Sequence, residues 1–258
     1  MHLLRGVWCG ADGVCLGVGT TGTVGGVAVL RSNGPIGPVH PVGGTYELHD
    51  IDCAPGGGCI AVGRTPGAVG VIVEVSRNGT PGAVRPVSGT SELFDVACPA
   101  AATCVATGHT SAWPETSSWP TSTPLFVVIN GGQPAPPRYM PRGTRRSIGI
   151  DCPTETTCLA LSGSSVVILT NTGGDWAATL RRVSSDISSP GEAISCPSST
   201  TCQATANAFI QRPDGYLGVP GMVAVSAEGV GGQVQILYDR SGNAYDISCI
   251  STRTCTGV

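Results

Sequence analysis

Short runs of alternating apolar and polar residues organise this chain. The stretch ELHDIDC at 47–53 sets Leu48, Asp50 and Asp52 against Glu47, His49 and Ile51, the period-two spacing of a strand. A PGGG segment then turns the chain, and CIAVG returns as a second strand. VGVIVEVS supplies a third, apolar strand, and Asn78-Gly79 supply the positive φ of a hairpin turn before AVRPV, the fourth. The same turn signal recurs in RSNG, SRNG, INGG, TNTGG and SAEG, which end at Gly34, Gly79, Gly132, Gly174 and Gly229. Nowhere do apolar residues recur at i, i+3, i+4 and i+7 with charges between them, so a helical protein is excluded.

Six cysteine pairs share one spacing, C-x5-C: Cys9 and Cys15, Cys53 and Cys59, Cys98 and Cys104, Cys152 and Cys158, Cys196 and Cys202, Cys249 and Cys255. Successive first cysteines lie 44, 45, 54, 44 and 53 residues apart, a period that marks a propeller or solenoid. Two residues before each first cysteine stands Val7, Ile51, Val96, Ile150, Ile194 or Ile247, always β-branched. Four short strands per period match one propeller blade. The predicted fold is all-β, a single β-propeller domain over 1–258 of about six four-stranded blades, with repeats starting near 4, 48, 93, 147, 191 and 244. The sixth period stops at Val258 after its second strand, so the last blade is incomplete, and five or seven blades stay open.

Composition narrows the class further. Gly 38 and Pro 20 among 258 residues demand frequent turns, and charged residues at 12% are about half the usual share. A net charge of −3 gives no basic face for nucleic acid. No apolar run approaches the ~18 residues that cross a bilayer, so no membrane insertion is expected. The start MHLLRGVWCG lacks the apolar stretch of a secretory signal. All 14 basic residues are Arg, which suggests a GC-rich coding sequence, and the absence of Lys excludes Schiff-base chemistry and a P-loop.

The cysteine pairs read as disulfides or as metal ligands, with reduced, packed cysteines as a third reading. Structural zinc sites favour shorter spacings and need four ligands, and the four His residues occupy no repeating position. Two cysteines flanking a five-residue turn on adjacent antiparallel strands face each other at Cα separations of ~4.5 to 5.5 Å, within reach of a bridge. Disulfides are therefore expected, no metal and no cofactor is assigned, and a secreted or cell-envelope location follows because bridges persist outside the cytosol.

The stretch IDCPTETTCLALSGSSVVILTNTGGDW at 150–176 resembles the repeat of sialidase-like (BNR, Asp-box) propellers and of photosystem II assembly factor propellers. The cysteine pair replaces the family's aromatic positions on the first two strands, and this disulfide variant resembles repeats of secreted actinobacterial proteins. Asn171 stands where the box has Asp, Gly173 is retained, Asp175 replaces Thr, and Trp176 is present. The resemblance implies architecture and imports no activity.

Function in a propeller usually sits on loops of one face. The two long periods carry their extra residues between second and third strands, as HTSAWPETSSWPTSTP at 109–124 and NAFIQRPDGYLGVPG at 207–221. Alternating strand direction puts these connections, and those that lead into the next repeat, opposite the disulfide turns. The candidate ligand-binding residues there are Trp113, Trp119, Tyr139, Arg142, Arg145, Arg146, Arg212, Asp214 and Tyr216, with Phe209 nearby. Rings stack on sugar faces and Arg grips carboxylates, so a glycan or protein ligand is the expected partner of a monomer.

Plainer roles compete with this reading. The two Trp can cover a blade edge, Arg145-Arg146 can be a solvated turn, and His2, His40, His49 and His109 read as surface or packing residues. Asp50, Asp95 and Asp246 recur three residues before a first cysteine; bracing is favoured over a cation-binding ring, because Gly6, Gly149 and Ala193 interrupt the series. Catalysis is the weaker reading, since no candidate carboxylate pair or Ser-hydrolase elbow sits in a recognisable motif. A sialidase-like glycoside hydrolase and a structural or sensor segment of a larger secreted protein remain the alternatives to a non-catalytic binding module.

Overall fold

The computed structural model describes residues 1–31, 36–112, 121–145, 149–183, 187–212, 215–237, 247–251 and 254–257, and among them every regular element is a strand. Each sheet is antiparallel and follows chain order. The first holds β1 (Leu3–Cys9), β2 (Val14–Thr20), β3 (Gly25–Arg31) and β4 (Val39–Val42); the second β5 (Glu47–Cys53), β6 (Cys59–Arg64), β7 (Gly70–Val75) and β8 (Pro81–Pro86). In the third, β9 (Glu92–Ala100), β10 (Thr103–Ala112) and β11 (Thr121–Asn130) carry two short outer strands, β12 (Gln133–Pro134) and β13 (Arg138–Tyr139). The fourth holds β14 (Ile150–Thr154), β15 (Thr157–Ser162), β16 (Ser165–Thr172) and β17 (Asp175–Arg182), the fifth β18 (Ile187–Ser195), β19 (Thr201–Arg212), β20 (Gly215–Ser226) and β21 (Gly231–Ile236). A sixth sheet pairs β22 (Ile247–Ser251) with β23 (Thr254–Gly257). Two compact units divide the chain, Met1–Tyr139 and Met140–Val258, and each is described by itself.

The cores lie between neighbouring sheets. Leu16, Val18, Leu48, Ile51, Ala61 and Val73 join the first sheet to the second, while Ile60, Val62, Ile72, Leu93, Val96 and Leu125 join the second to the third. Leu159, Val166, Ile194, Ala204 and Val223 do the same between the fourth and fifth. Alternate residues of β6 thus serve opposite interfaces, which is why its sequence CIAVG is continuously apolar instead of alternating.

All twelve cysteines form the expected pairs within their own hairpins. The Cα separations, 3.8 to 4.0 Å, are shorter than the ~4.5 to 5.5 Å expected from the strand spacing. Cys9 and Cys15, Cys53 and Cys59, and Cys249 and Cys255 stand directly opposite each other in their ladders. The turn glycines Gly79, Gly132, Gly174 and Gly229 all have positive φ; Gly34 lies outside the described residues.

Two features depart from the sequence reading. The insertions expected as loops instead lengthen hairpins: β10 pairs with β11 from Thr103↔Asn130 to Ala112↔Thr121, and β19 with β20 from Thr201↔Ser226 to Arg212↔Gly215. Pro220, which reads as a strand breaker, is tolerated because its carbonyl faces outward and accepts from Leu237 N–H; the N–H that it lacks would point to that same outer side.

The strict alternation expected for ELHDIDC also fails. A bulge lies between Leu48 and Asp50, where Leu48 pairs with Gly63 and Asp50 with Val62. His49 is the extra residue, and parity resets so that Leu48 and Ile51 are both buried.

Candidate functional site

The bulge recurs at the same position in three successive repeats. Arg5, His49 and Phe94 each stand four residues before a first cysteine, and each lies within a register shift of its first strand. A bulge re-aims the side chain of the extra residue. On the facing strand a close approach follows: a Cβ added at Gly19, Gly63 or Gly108 would land on the carbonyl oxygen of Leu3, Glu47 or Glu92. This explains the glycine that closes LGVG, IAVG and VATG. Arg5 and His49 reach the next sheet and meet carboxylates there, while Phe94 packs between His49 and His109.

Glu47, the first residue of β5, is buried at 6% relative exposure. Arg5 Nη2 lies 2.9 Å from its Oε2, while Arg64 donates from Nε at 2.9 Å and Nη2 at 2.8 Å to its Oε1. Arg64 Nε also lies 3.2 Å from Glu92 Oε1, and its guanidinium stacks on Tyr46 at 4.7 Å. His49 Nε2 is 2.8 Å from Glu92 Oε1; an ionised carboxylate only accepts, so Nε2 carries the proton. Phe94 meets His49 edge-on and stacks on His109 at 5.1 Å. The cluster occupies the start of β5 and β9 and the end of β6, the ends opposite the disulfides.

Glu47, His49 and Glu92 bring one ligand atom each within 4.8 Å of one another, a spacing that a divalent cation could span. The arrangement does not fit one. Arg64 already lies on both carboxylates and Arg5 holds the second oxygen of Glu47, so two guanidiniums balance two carboxylates and a metal would have to displace them. The cluster is an ion-pair clamp that ties the first sheet to the second and the second to the third.

Burial by itself raises the Glu92 carboxyl, but the His49 hydrogen bond, then the His49, Arg64 and His109 charges, outweigh it and hold the group below its ordinary value. A carboxyl whose folded value is depressed contributes stability above its unfolded value, and the contribution disappears as pH falls through the folded one. The melting temperature is therefore expected to fall as pH drops below about 4, and Glu92→Gln should flatten that fall while lowering the plateau near neutrality. Thermal melts across pH 2–7 read this directly; an unchanged profile in the variant would remove Glu92 from the clamp.

The inner-strand carboxylates brace as expected, though they hold the next strand rather than a turn. Asp50 Oδ2 accepts from Val96 N–H at 3.2 Å and Asp52 Oδ2 from Cys98 N–H at 2.6 Å. In the second unit Asp151 Oδ2 accepts from Cys196 N–H at 2.7 Å, and Ser195 Oγ from Cys249 N–H at 3.1 Å. Asp95 Oδ1 accepts from the following Val96 N–H; Asp246 lies outside the described residues.

Of the ligand-binding candidates, Tyr139 is 64% exposed in the first unit. Arg142, Arg145 and Arg212 are exposed in the second. Arg142 sits at the tip of a turn whose Thr144 hydroxyl donates to Pro141 O at 2.7 Å, the same turn that Thr45 and Thr90 close on Val42 and Val87. Arg145 is anchored by its N–H to Ser162 Oγ at 2.8 Å, and that hydroxyl donates back to Arg145 O. Trp113, Trp119, Arg146 and Asp214 lie outside the described residues, as do the side chains of Phe209 and Tyr216.

The sequence reading missed Arg5, Glu47, Arg64 and Glu92 and gave His49 and His109 only packing roles. A signal was present: ELHD and ELFD repeat before the first cysteine of repeats two and three. A separate cleft of about 460 Å³ lies on the disulfide side, lined by Ala54, Ile60, Glu74, Val75, Ala101 and Ile129 among others.

No protein-family model matches the chain, and no curated protein does. Solved structures do. The chain is similar to U3-55K with a TM-score of 0.63 at 9% identity, over 95% of this chain and 84% of that one. It is similar to the Pan2 WD40 domain of Neurospora crassa with 0.56 at 10%, over 95% and 68%, and to virginiamycin B lyase from Staphylococcus aureus with 0.53 at 9%, over 98% and 90%. The fold is a β-propeller. Among the described residues, five sheets of four or more strands and one of two agree with about six blades, and at these identities the likeness carries the fold alone.

Proposed function

We propose that this β-propeller is a non-catalytic extracellular binding module whose ligand, a glycan or a protein, is held on the face opposite the disulfide turns. One observation carries the reading. At the ends opposite their own disulfide turns, β10–β11 in the first unit and β19–β20 in the second extend to ten and twelve residues per strand, against six in β6–β7. The disulfide ends stay short and uniform, whereas the opposite ends vary, and variable ends on a rigid frame are where recognition is built. The self-balanced clamp of Glu47, Glu92, Arg5 and Arg64 supports a structural role for the largest titratable cluster described, and so favours binding over catalysis. Kinship with Asp-box propellers is supported by Asn171, whose Oδ1 accepts from Gly174 N–H at 2.8 Å, and by Trp176, buried at 3%.

Trp113 and Trp119 fall in the sequence that connects β10 to β11, outside the described residues, and Tyr139 lies on the outer strand that pairs with β11. A Trp113→Ala, Trp119→Ala double variant is expected to lose about 5- to 150-fold in affinity, measured against a glycan array and a panel of cell-envelope proteins, with melting temperature unchanged. Binding that ignores the double change would sink this assignment.

A further inference from the structure

We propose that the outer edge of β17, with Arg142, Arg145, Arg181 and Arg182 at its end, takes up an extended acidic peptide as a fifth strand of the fourth sheet. The inference rests on the reading of the chain as a binding module and names a ligand class at a place that the Trp variants do not touch.

Outer strands differ in how they are closed to further pairing. Pro41 interrupts β4, Pro81 and Pro86 bracket β8, and the third sheet's outer edge is broken into β12 and β13 around Pro136 and Pro137. Prolines and breaks of this kind blunt an edge. β17, DWAATLRR, has no proline and pairs with β16 residue for residue from Ser165↔Arg182 to Thr172↔Asp175 without a register shift. β21 is shorter and carries a shift between Val223 and Val225 of its partner. Among the described residues no strand pairs with the outer side of β17.

The direction of its amides follows from the hairpin. Thr172 and Asp175 flank a two-residue turn in which Gly173 and Gly174 both have positive φ, the geometry of a tight hairpin. At the other end Val183 N–H donates to Ser164 O at 3.0 Å. Odd-numbered amides therefore face β16, and those of Trp176, Ala178, Leu180 and Arg182 face outward. A row of donors and acceptors spaced for an incoming strand results.

The charge stands at one end of this row. Arg181 and Arg182 close β17 on opposite faces of the sheet. Gly143 lies against Leu180, because a Cβ added there would come within 3.5 Å of its Cδ2, and a Cβ on Gly163 would come within 3.4 Å of Arg145 Cδ. This puts the 141–145 turn beside the end of β17. All four guanidinium-bearing residues are exposed, and among the described residues no carboxylate pairs with any of them; Asp186 lies outside those residues. Four cations with no counter-charge among the described residues, in a chain of net charge −3, select an anionic partner. The open strand edge selects a peptide over a polysaccharide, since main-chain bonds supply affinity and alternate side chains supply specificity.

The test uses the whole protein and a fluorescein-labelled eight-residue peptide of alternating Thr and Glu, followed by anisotropy at low and high salt. Wild type is expected to bind, less tightly as salt rises. Arg181→Glu/Arg182→Glu and, separately, Ala178→Pro should each weaken it by about tenfold or more, the second because it removes an outward amide and leaves the β16 ladder intact. A peptide N-methylated at alternate residues, offered to the unaltered protein, should lose binding by a similar factor, which covers the case of a variant that does not fold. Absence of peptide binding overturns the proposal. So does binding that survives Ala178→Pro or N-methylation, and so does equal competition by a polyanionic polysaccharide on both wild type and Ala178→Pro, which would make the patch a general anion surface. A concentration-dependent dimer abolished by Ala178→Pro would give the edge to a second copy and overturn it too. The Trp113/Trp119 variant should bind this peptide like wild type, so failure here and failure of the wider binding reading are separable.

Discussion

Complete reduction of the six bridges is expected to unfold this protein or to lower its melting temperature by tens of degrees. Each bridge closes a seven-residue loop, which on the chain-entropy relation contributes about 2 kcal/mol, so six acting independently supply on the order of 10 kcal/mol. That is comparable with the whole net stability of an ordinary domain. Few large aromatics are available to compensate, since aromatic residues make up only 5% of the chain. Differential scanning fluorimetry with and without a membrane-permeant reductant, with circular dichroism to follow strand content, checks the claim. A reduced protein that melts within a few degrees of the oxidised one would show that the cores between sheets suffice without the staples.

The second large effect concerns Glu47. Glu47→Ala is expected to destabilise the protein by about 3 kcal/mol, because it leaves Arg64 beside Glu92 without its main partner and strips Arg5 of its only described one. The estimate sits at the low end of buried-pair losses because Arg5 and Arg64 keep partial contact with water, at 41% and 33% side-chain exposure. Glu47→Gln keeps an acceptor at Oε1 and removes the charge, so it should cost less than Ala. Denaturant titration of the two variants, with equal slopes, is the measurement. A Gln variant as stable as wild type, beside a destabilised Ala variant, would mean that packing and not the ion pair accounts for the effect.

The fold was readable in the sequence because its signals repeat. The C-x5-C pairs and the β-branched residue two positions earlier return in all six periods and the turn glycines in five, so an ambiguity in one repeat is resolved by the next. The clamp was not readable for a physical reason. Its members come from different repeats and are turned toward each other by one extra residue in each first strand. Period-two counting through ELHDIDC placed His49 with Ile51, whereas the bulge puts His49 against Glu92 and buries Leu48 and Ile51 together. The insertions read as loops because they lengthen two periods at one connection, whereas the added residues pair with each other and carry β10–β11 and β19–β20 further along. Arg142 and Arg145 were named as candidates and are exposed, but Arg181 and Arg182 at the end of β17 went unnoticed, since only the pairing of β16 with β17 brings them beside the 141–145 turn.

The central claim is that each period is one blade closed by a disulfide of its own. Peptide mapping of the unfolded, non-reduced protein by mass spectrometry, with a parallel thiol titration, tests it most directly. The expected result is six bridges, each joining cysteines six positions apart, with close to no titratable thiol. A bridge between different repeats, or several free thiols in protein matured outside the cytosol, would contradict it.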